Sequence, residues 1–320
     1  MCRRRTPPSI QTLPRGQTQV LSDKMGLSPL PDRAEHSCLP LPSSGMAMSI
    51  LQRLTGLLVL VGLFLASPGN ASEIAGNLVI AGNGPEQATM EALARAFEKA
   101  NPRAYVDLLW DDDSKPLELV QTDQAHIAVT GVEHPPLAAT QIGWDGIGIL
   151  VHLSNFTKDV TRQQVADIFS GKVHDWAELG GPETRIVLID RPRSQNIRDA
   201  FESQLGITGK MSTASKTIGP DEDVLKTVVG TIPPLSAATY ISLSTGLSAV
   251  TGGVAVRLLP VDKVEPEGPT VRDGRYSLRR PLLLLAKKGP APMVDAFARF
   301  ALSAPGQSII GETYVPMPSQ

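Results

Sequence analysis

The first clear hydrophobic pattern in the chain begins near residue 77. The apolar run NLVIAG, residues 77–82, ends in glycine and predicts a strand. Gly84 and Pro85 follow, with the proline in the kind of first-turn position that opens a helix. Apolar residues then recur at helical spacing and predict one buried helix face, formed by Met90, Leu93, Ala94, Phe97 and Ala100.

The alternation of strand and helix continues along the chain. AYVDLLW (104–110) and HIAVTG (126–131) predict two further strands, separated by a short helix at 117–122. This order favours an open, mostly parallel α/β sheet. In such sheets ligands bind beyond the carboxyl ends of the strands, next to helix N-termini. Candidate site residues are therefore expected directly after the strands.

Later segments repeat the pattern. Thr161 and Gln164 have the spacing of a capping box, which predicts a helix start at this point. Further helices are expected at 220–229 and 291–302. The later predicted strands are 144–153, 185–190, 238–243, 254–259 and 280–288.

The N-terminal part of the chain has no such pattern. Residues 1–45 show no helical or strand period, and we interpret them as disordered or as a mis-called upstream extension. Residues 46–71 resemble a signal peptide, with Arg53, a short apolar run over 57–65 and small residues before a cleavage point at Ala71. The alternative is a membrane anchor, but a spanning helix needs about 20 apolar residues and the Pro68–Gly69 break shortens this run.

Cleavage after Ala71 would change the cysteine content and the net charge of the exported chain. Both cysteines, Cys2 and Cys38, precede the cleavage point, which excludes disulfides and thiolate chemistry from the exported chain. Residues 1–71 hold seven of the 30 Lys and Arg and three of the 32 Asp and Glu. The remaining chain carries 23 against 29, a net charge of −6. An acidic exported protein is a poor candidate for nucleic acid, so an anion site would have to be local.

One stretch concentrates positive charge at a helix start. In RPRSQNIRDAFE, residues 191–202, Arg191, Arg193, Ser194 and Arg198 follow the predicted strand that ends at Asp190. Exposed N–H groups and guanidinium donors at a helix N-terminus suit an oxyanion. The alternative is a solvated basic helix start that Asp190, Asp199 and Glu202 neutralise.

Several segments together resemble one family. They are VADIFSGKVHDWAELGG (165–181), RPRSQNIRDAFE, GRYSLRRPLLL (274–284), FARFALSAPGQSII (297–310) and YVP (314–316). In this order the series resembles the phosphate-binding proteins of bacterial phosphate ABC transporters, over roughly residues 74–318. The resemblance implies a periplasmic-binding-protein-like fold of two α/β lobes joined by two hinge strands. It implies a first lobe of 74–146 plus 252–320, a second lobe of 147–251, and hinges near 146–151 and 252–256.

The resemblance also implies an anion site. Arg191 and Ser194 match the family's arginine and serine, while Gln195 and Asn196 replace its glycine and threonine. Asn83 and Gly84 stand in the first-lobe loop, and Ser114 matches a serine of the second loop. His126 is taken to replace an aspartate that accepts a ligand proton. A histidine cation would donate instead, and would favour a fully ionised oxyanion or a carboxylate; the alternative is an ordinary core histidine.

We therefore expect a monomeric periplasmic solute-binding protein that closes on a small oxyanion and delivers it to an ABC permease, without a cofactor. One alternative is a degenerate relative that acts as a sensor or adaptor for a protein partner. A phosphatase that uses Ser194, His126 and a loop aspartate is less favoured, because no nucleophile elbow is present. Residues 111–113, three aspartates, lack a calcium-loop pattern, so we expect no metal site.

Overall fold

The computed structural model describes residues 74–111 and 113–318. The predicted extension at 1–45 and the predicted signal peptide at 46–71 lie outside this range, as does Asp112. The described residues form ten strands and nine α-helices. The strands are β1 (Ala75–Gly82), β2 (Arg103–Trp110), β3 (Ile127–Thr130), β4 (Ala138–His152), β5 (Val187–Asp190), β6 (Lys216–Thr217), β7 (Ala237–Ser242), β8 (Val256–Leu259), β9 (Arg279–Ala286) and β10 (Val315–Pro316).

The helices follow the strands in the predicted alternation. They are α1 (Gln87–Ala100), α2 (Pro116–Gln121), α3 (Arg162–Phe169), α4 (Asn196–Leu205), α5 (Asp221–Gly230), α6 (Leu243–Thr251), α7 (Gly268–Arg272), α8 (Pro292–Leu302) and α9 (Ala304–Gly311). No helix among these described residues is long and apolar enough to cross a membrane.

Local sequence signals explain several of these boundaries. The capping box of α3 is confirmed: Thr161 Oγ1 accepts from the Gln164 N–H at 3.1 Å, and Gln164 Oε1 accepts from the Thr161 N–H at 2.7 Å. The predicted face of α1 is buried at Met90, Leu93 and Phe97. Ala100, the last residue of this helix, is exposed instead.

Eight of the ten described strands form one path, β2-β1-β3-β9-β4-β7-β5-β6, and β8 and β10 each pair with β4 off this path; β4 belongs to both halves of the path. Residues 138–146 of β4 pair antiparallel with β9, whereas residues 147–152 pair with β7 and β8. We call β1, β2, β3, β9 and the first half of β4 the first lobe, and β5, β6, β7, β8 and the second half of β4 the second lobe. The two-lobed α/β fold expected from the sequence is therefore confirmed. The expectation of a mostly parallel sheet is wrong, because every strand pair that includes β4 or β9 is antiparallel.

The strand pairing also bears on the predicted hinges. β4 passes between the lobes at Gly146 and Ile147, where the first hinge was expected. The second hinge was expected at 252–256, but β8 starts at Val256 and pairs with the second-lobe half of β4. Strand pairing instead favours a return between β8 and β9, at 260–278. The lobe limits 74–146 plus 252–320 and 147–251 stay a prediction.

Each lobe has its own hydrophobic core. In the first, α1 and α8 cover the sheet with residues such as Leu93, Phe97 and Phe297. In the second, Trp176, Phe169, Phe201 and Tyr240 are fully buried, and the rings of Phe201 and Tyr240 stack with centroids 3.9 Å apart. These separate cores hold the carboxyl ends of β1, β3, β5 and β7 at the boundary between the lobes, where the candidate residues lie.

Candidate functional site

Four of the predicted site residues meet around the Asn83 side chain. Asn83 follows β1 and is buried. Its Nδ2 donates to the Ser114 carbonyl at 3.0 Å and to the Ser194 carbonyl. Its Oδ1 accepts from the Asn196 N–H at 3.3 Å, at the first residue of α4. Asn83 and Ser114 belong to the first lobe, and Ser194 and Asn196 follow β5 of the second, so Asn83 links the lobes.

Gly84 stands where the backbone must come close to other groups. A Cβ at this position would lie 2.4 Å from Glu86 Oε2 and 2.9 Å from both side-chain atoms of the Asn196 amide. The Gly84 carbonyl accepts from Trp110 Nε1 at 2.9 Å, and Ser114 Oγ donates to the Gly82 carbonyl at 2.8 Å. The loop after β1 is thus held by its neighbours, and a Cβ at residue 84 would require the Glu86 carboxylate and the Asn196 amide to move.

Arg280 is a charged residue at this boundary that the sequence did not identify as a candidate. It is the second residue of β9, lies opposite Asp145 of β4 and is fully buried. Its guanidinium bonds Asp145 Oδ2 from Nη2 at 2.9 Å and from Nε at 3.2 Å, and it donates from Nη2 to Glu86 Oε1. A third donor, Nη1, lies 2.5 Å from Asn196 Oδ1 in the second lobe.

Two carboxylates compete for this one guanidinium. Burial raises the pKa of Asp145 to about 6; the Arg280 charge opposes this shift, and the nearby Glu86 carboxylate adds to it. Burial also works against the Arg280 charge, but Glu86 and Asp145 hold the pKa of Arg280 above its usual range. The cluster of Glu86, Asp145 and Arg280 therefore carries one negative charge more than positive when both carboxyls are ionised.

A sequence signal for these missed residues does exist. Asp145 and Arg280 are charged residues inside otherwise apolar predicted strands, and a charge in a buried strand needs a partner. Glu86 directly precedes α1, at its N-cap. The sequence could identify the first two as a candidate pair, but not their shared contact with Glu86.

Arg191 is buried beside a pocket between the two lobes. Its Nε donates to Gln195 Oε1 at 2.9 Å, and Nη2 pairs with Asp221 at the start of α5. Its Nη1 is buried without a hydrogen-bond partner among the described residues. The pocket has a volume of about 350 Å³. It is lined by Gly84, Pro85, Gln87, Ala88 and Glu91 from the first lobe, and by Arg191, Gln195, Gly219, Pro220 and Asp221 from the second.

The other two arginines of this stretch differ from Arg191. Arg193 is exposed, as expected. Arg198 pairs with Asp190 at 3.0 Å and with Glu202 at 2.7 Å, and its Nη1 donates to the Arg191 carbonyl at 2.9 Å. Arg198 is therefore held by its own carboxylates, as the alternative interpretation of the stretch proposed, and it fixes the turn that carries Arg191.

The prediction that His126 lies in the cleft is wrong. His126 precedes β3, at the amino end of this strand, and is exposed. Its Nδ1 accepts from the Val79 N–H at 2.9 Å, which joins the edges of β1 and β3. The carboxyl end of β3 leads instead to Gly131, where a Cβ would lie 2.8 Å from Arg280 Cδ. A catalytic arrangement of Ser194 with His126 is not formed.

The expected absence of a metal site was tested against the described part of the chain. There, no three His, Cys, Asp or Glu residues are grouped in a way that could hold a metal ion. Asp111 and Asp113 are exposed in the loop after β2, and Asp111 Oδ1 accepts from the Asp113 N–H at 2.8 Å.

Two lobes with separate cores and a strand shared between them define a two-lobed fold of the periplasmic-binding-protein type. Residues 68–305 match the family model of the PBP superfamily domain, and the chain belongs to that superfamily.

Several relatives are phosphate-binding proteins by name. The chain is 26% identical over 212 residues to the phosphate-binding protein PstS of Bacillus subtilis, an alignment covering 63% of this chain and 67% of that protein. It is 31% identical over 110 residues to PstS 2 of Streptococcus agalactiae, covering 32% and 38%. The chain thus spans two thirds of one relative and under two fifths of the other. The predicted resemblance to phosphate-binding proteins of phosphate transporters is confirmed.

Solved structures agree on the fold. A Clostridium perfringens protein described as a phosphate ABC transporter substrate-binding protein, with bound phosphate, superposes with a TM-score of 0.66 at 26% identity, covering 76% of this chain and all of that one. An ABC-type phosphate transport receptor of Vibrio cholerae gives 0.65 at 22% identity, covering 75% and 100%. The second likeness, below 25% identity, supports the fold alone.

Proposed function

We propose that this protein is an exported, monomeric solute-binding protein that captures a small oxyanion, phosphate or a phosphate-like anion, between its lobes and delivers it to an ABC permease. The names of its relatives support the ligand class and the permease. Binding requires no cofactor and no covalent chemistry. Lobe closure around the anion is the expected mode, with the hinge in β4.

Arg191 is the observation that carries this proposal. Its guanidinium is buried, and the residue precedes the N-terminus of α4. Arg191 lines the pocket between the lobes, and its Nη1 has no hydrogen-bond partner among the described residues. A buried donor without an acceptor is costly, and an oxyanion at this point would supply the acceptor. Gln195 and Asp221 orient the guanidinium by occupying Nε and Nη2. This leaves one face of the group for a ligand.

The remaining predicted residues would shape the pocket rather than hold the anion by their side chains. Asn83 donates to the Ser114 and Ser194 carbonyls and accepts from the Asn196 N–H, which fixes the distance between the lobes at this point. Gly84 lines the pocket beside the start of α1. We propose that these four residues and Gly84 set the cavity and that Arg191 provides the main charge.

Calorimetry of the purified protein tests the proposal. Phosphate, sulfate, a phosphonate and small carboxylates are titrated at pH 5–8 into the wild-type protein and into Arg191→Met. We expect the variant to lose about 10- to 100-fold in affinity, the loss of one charged hydrogen bond. Arg193→Met is the matched control, because Arg193 is exposed two residues away and its replacement leaves the affinity unchanged. Equal affinities of the two variants would contradict the role of Arg191.

A second function, that of a sensor or adaptor for a protein partner, is favoured by the charge balance of the site. Asp221 already pairs with Arg191, and Glu86 and Asp145 already pair with Arg280. The absence of binding to every anion at millimolar concentration would favour this second function. A phosphatase would require turnover of a chromogenic phosphoester above an Arg191→Ala control.

A further inference from the structure

Glu86 lies where an external anion would be expected. It is the N-cap residue of the 14-residue helix α1, and Asn196, which starts the 10-residue helix α4, lies across from it in the other lobe. Glu86 Oε1 pairs with Arg280, and Glu86 Oε2 lies 3.5 Å from Asn196 Nδ2. Both Glu86 and Arg280 are fully buried. The Arg280 guanidinium and the Asn196 amide thus contact one carboxylate, which lies beside the starts of two helices and makes no cap hydrogen bond to α1.

This combination of donors is typical of an anion site. Helix N-termini favour negative charge, and a guanidinium adds charge-assisted hydrogen bonds. Here the acceptor is part of the chain itself, placed by a loop in which Gly84 allows the close approach to Asn196. The contact of Arg280 Nη1 with Asn196 Oδ1 at 2.5 Å extends the same cluster to the second lobe.

Neutralising Arg280 does not require Glu86. Asp145 lies directly opposite Arg280 on the neighbouring strand, and its Oδ2 accepts from two of the guanidinium nitrogens. Glu86 adds a second carboxylate to a charge that is already balanced, at a cost in desolvation.

We infer that the Glu86 carboxylate is a built-in anion that occupies the position beside Arg280 and keeps external oxyanions from reaching that guanidinium. Any external anion is then confined to the adjacent pocket beside Arg191. The inference deepens the proposed function and rests on it only for the consequence in the pocket. The Glu86 carboxylate occupies the position beside Arg280 whether or not the wild-type protein binds phosphate.

The inference is tested by removing the Glu86 side chain and asking whether a small added anion restores the lost stability. Glu86→Ala leaves Arg280 paired with Asp145 and opens a space the size of a carboxylate. Melting temperatures of this variant are measured in sodium formate and sodium acetate against sodium chloride of equal ionic strength. We expect a lower melting temperature than wild type in chloride. Formate and acetate should raise it by about 3–5 °C at about ten times their dissociation constant.

Glu202→Ala is the matched control. Arg198 is bound by Asp190 and Glu202 within the second lobe, so this change removes one carboxylate from a similarly built buried cluster away from the lobe boundary. We expect no rescue by formate beyond that in chloride. Should Glu86→Ala be unfolded in chloride, formate must restore its circular dichroism spectrum. No rescue of Glu86→Ala in formate or acetate, or equal rescue of both variants, overturns the inference.

The result is separable from the proposed function. Rescue of Glu86→Ala by formate or acetate, together with no binding of any tested anion by the wild-type protein, would refute the proposed function and support the inference. Phosphate binding by the wild-type protein through Arg191, together with no rescue, would refute the inference alone.

Discussion

Replacing Asp145 with asparagine changes how the stability of this protein depends on pH. Asp145 is buried opposite Arg280, and burial raises its pKa to about 6, against the ordinary 3.8. The folded state therefore holds a proton on this group more tightly than the unfolded chain does. Between about pH 4 and pH 6 the folded state binds more protons, so the free energy of unfolding falls as the pH rises through this range.

The size of the effect follows from the two pKa values. At about 1.4 kcal/mol per pKa unit, the difference between about 6 and 3.8 corresponds to about 3 kcal/mol. This stability is present below pH 4 and is lost above pH 6. Asparagine has the shape of the protonated acid and does not titrate. Relative to wild type, Asp145→Asn should therefore gain about 3 kcal/mol between pH 4 and pH 7.

Urea unfolding, followed by the fluorescence of the buried Trp176, measures this difference. The free energy of unfolding is determined for both proteins at intervals between pH 4 and pH 7.5, and wild type is subtracted from variant so that other acidic groups cancel. Glu183→Gln, at an exposed carboxylate outside the cleft, serves as the control and should follow the wild-type pH profile. A variant-minus-wild-type difference that stays constant, or that falls with rising pH, would refute the reasoning.

Two further substitutions have clear expectations. His126→Ala should leave anion affinity in calorimetry unchanged and lower the melting temperature slightly, because only the exposed acceptor for the Val79 N–H is lost. A loss of affinity equal to that of Arg191→Met would place His126 in the site after all. Phe201→Ala should lower the free energy of unfolding in urea by about 3–5 kcal/mol, because its ring stacks on Tyr240 in the second-lobe core. Phe156→Ala, at a ring that is 59% exposed, is the control, and equal losses from the two changes would contradict this account.

The convergence of the loops could be predicted from the sequence because it follows from a general property of parallel sheets. Asn83 and Ser194 each follow a predicted strand, and the carboxyl ends of such strands lie on one edge. The structure brings these loops together, with Asn83 donating to the Ser194 carbonyl. Their part in binding an anion stays a prediction.

His126 shows where this reasoning fails. It was selected by correspondence with a family motif, although it stands at the beginning of a predicted strand and not at its end. The rule that ligands bind beyond the carboxyl ends of strands agrees with Asn83 and Ser194, and it would have placed His126 on the opposite edge of the sheet, where the structure has it. The position along the strand was the better guide.

The sequence by itself determined the α/β alternation, the helix starts and the residues that follow each strand, because these depend on contacts between residues a few positions apart. Only the tertiary structure decided the cluster of Glu86, Asp145 and Arg280. Arg280 is 135 positions from Asp145 and 194 from Glu86. Which charges share one buried guanidinium depends on strand register and lobe packing, and no local pattern encodes either of these.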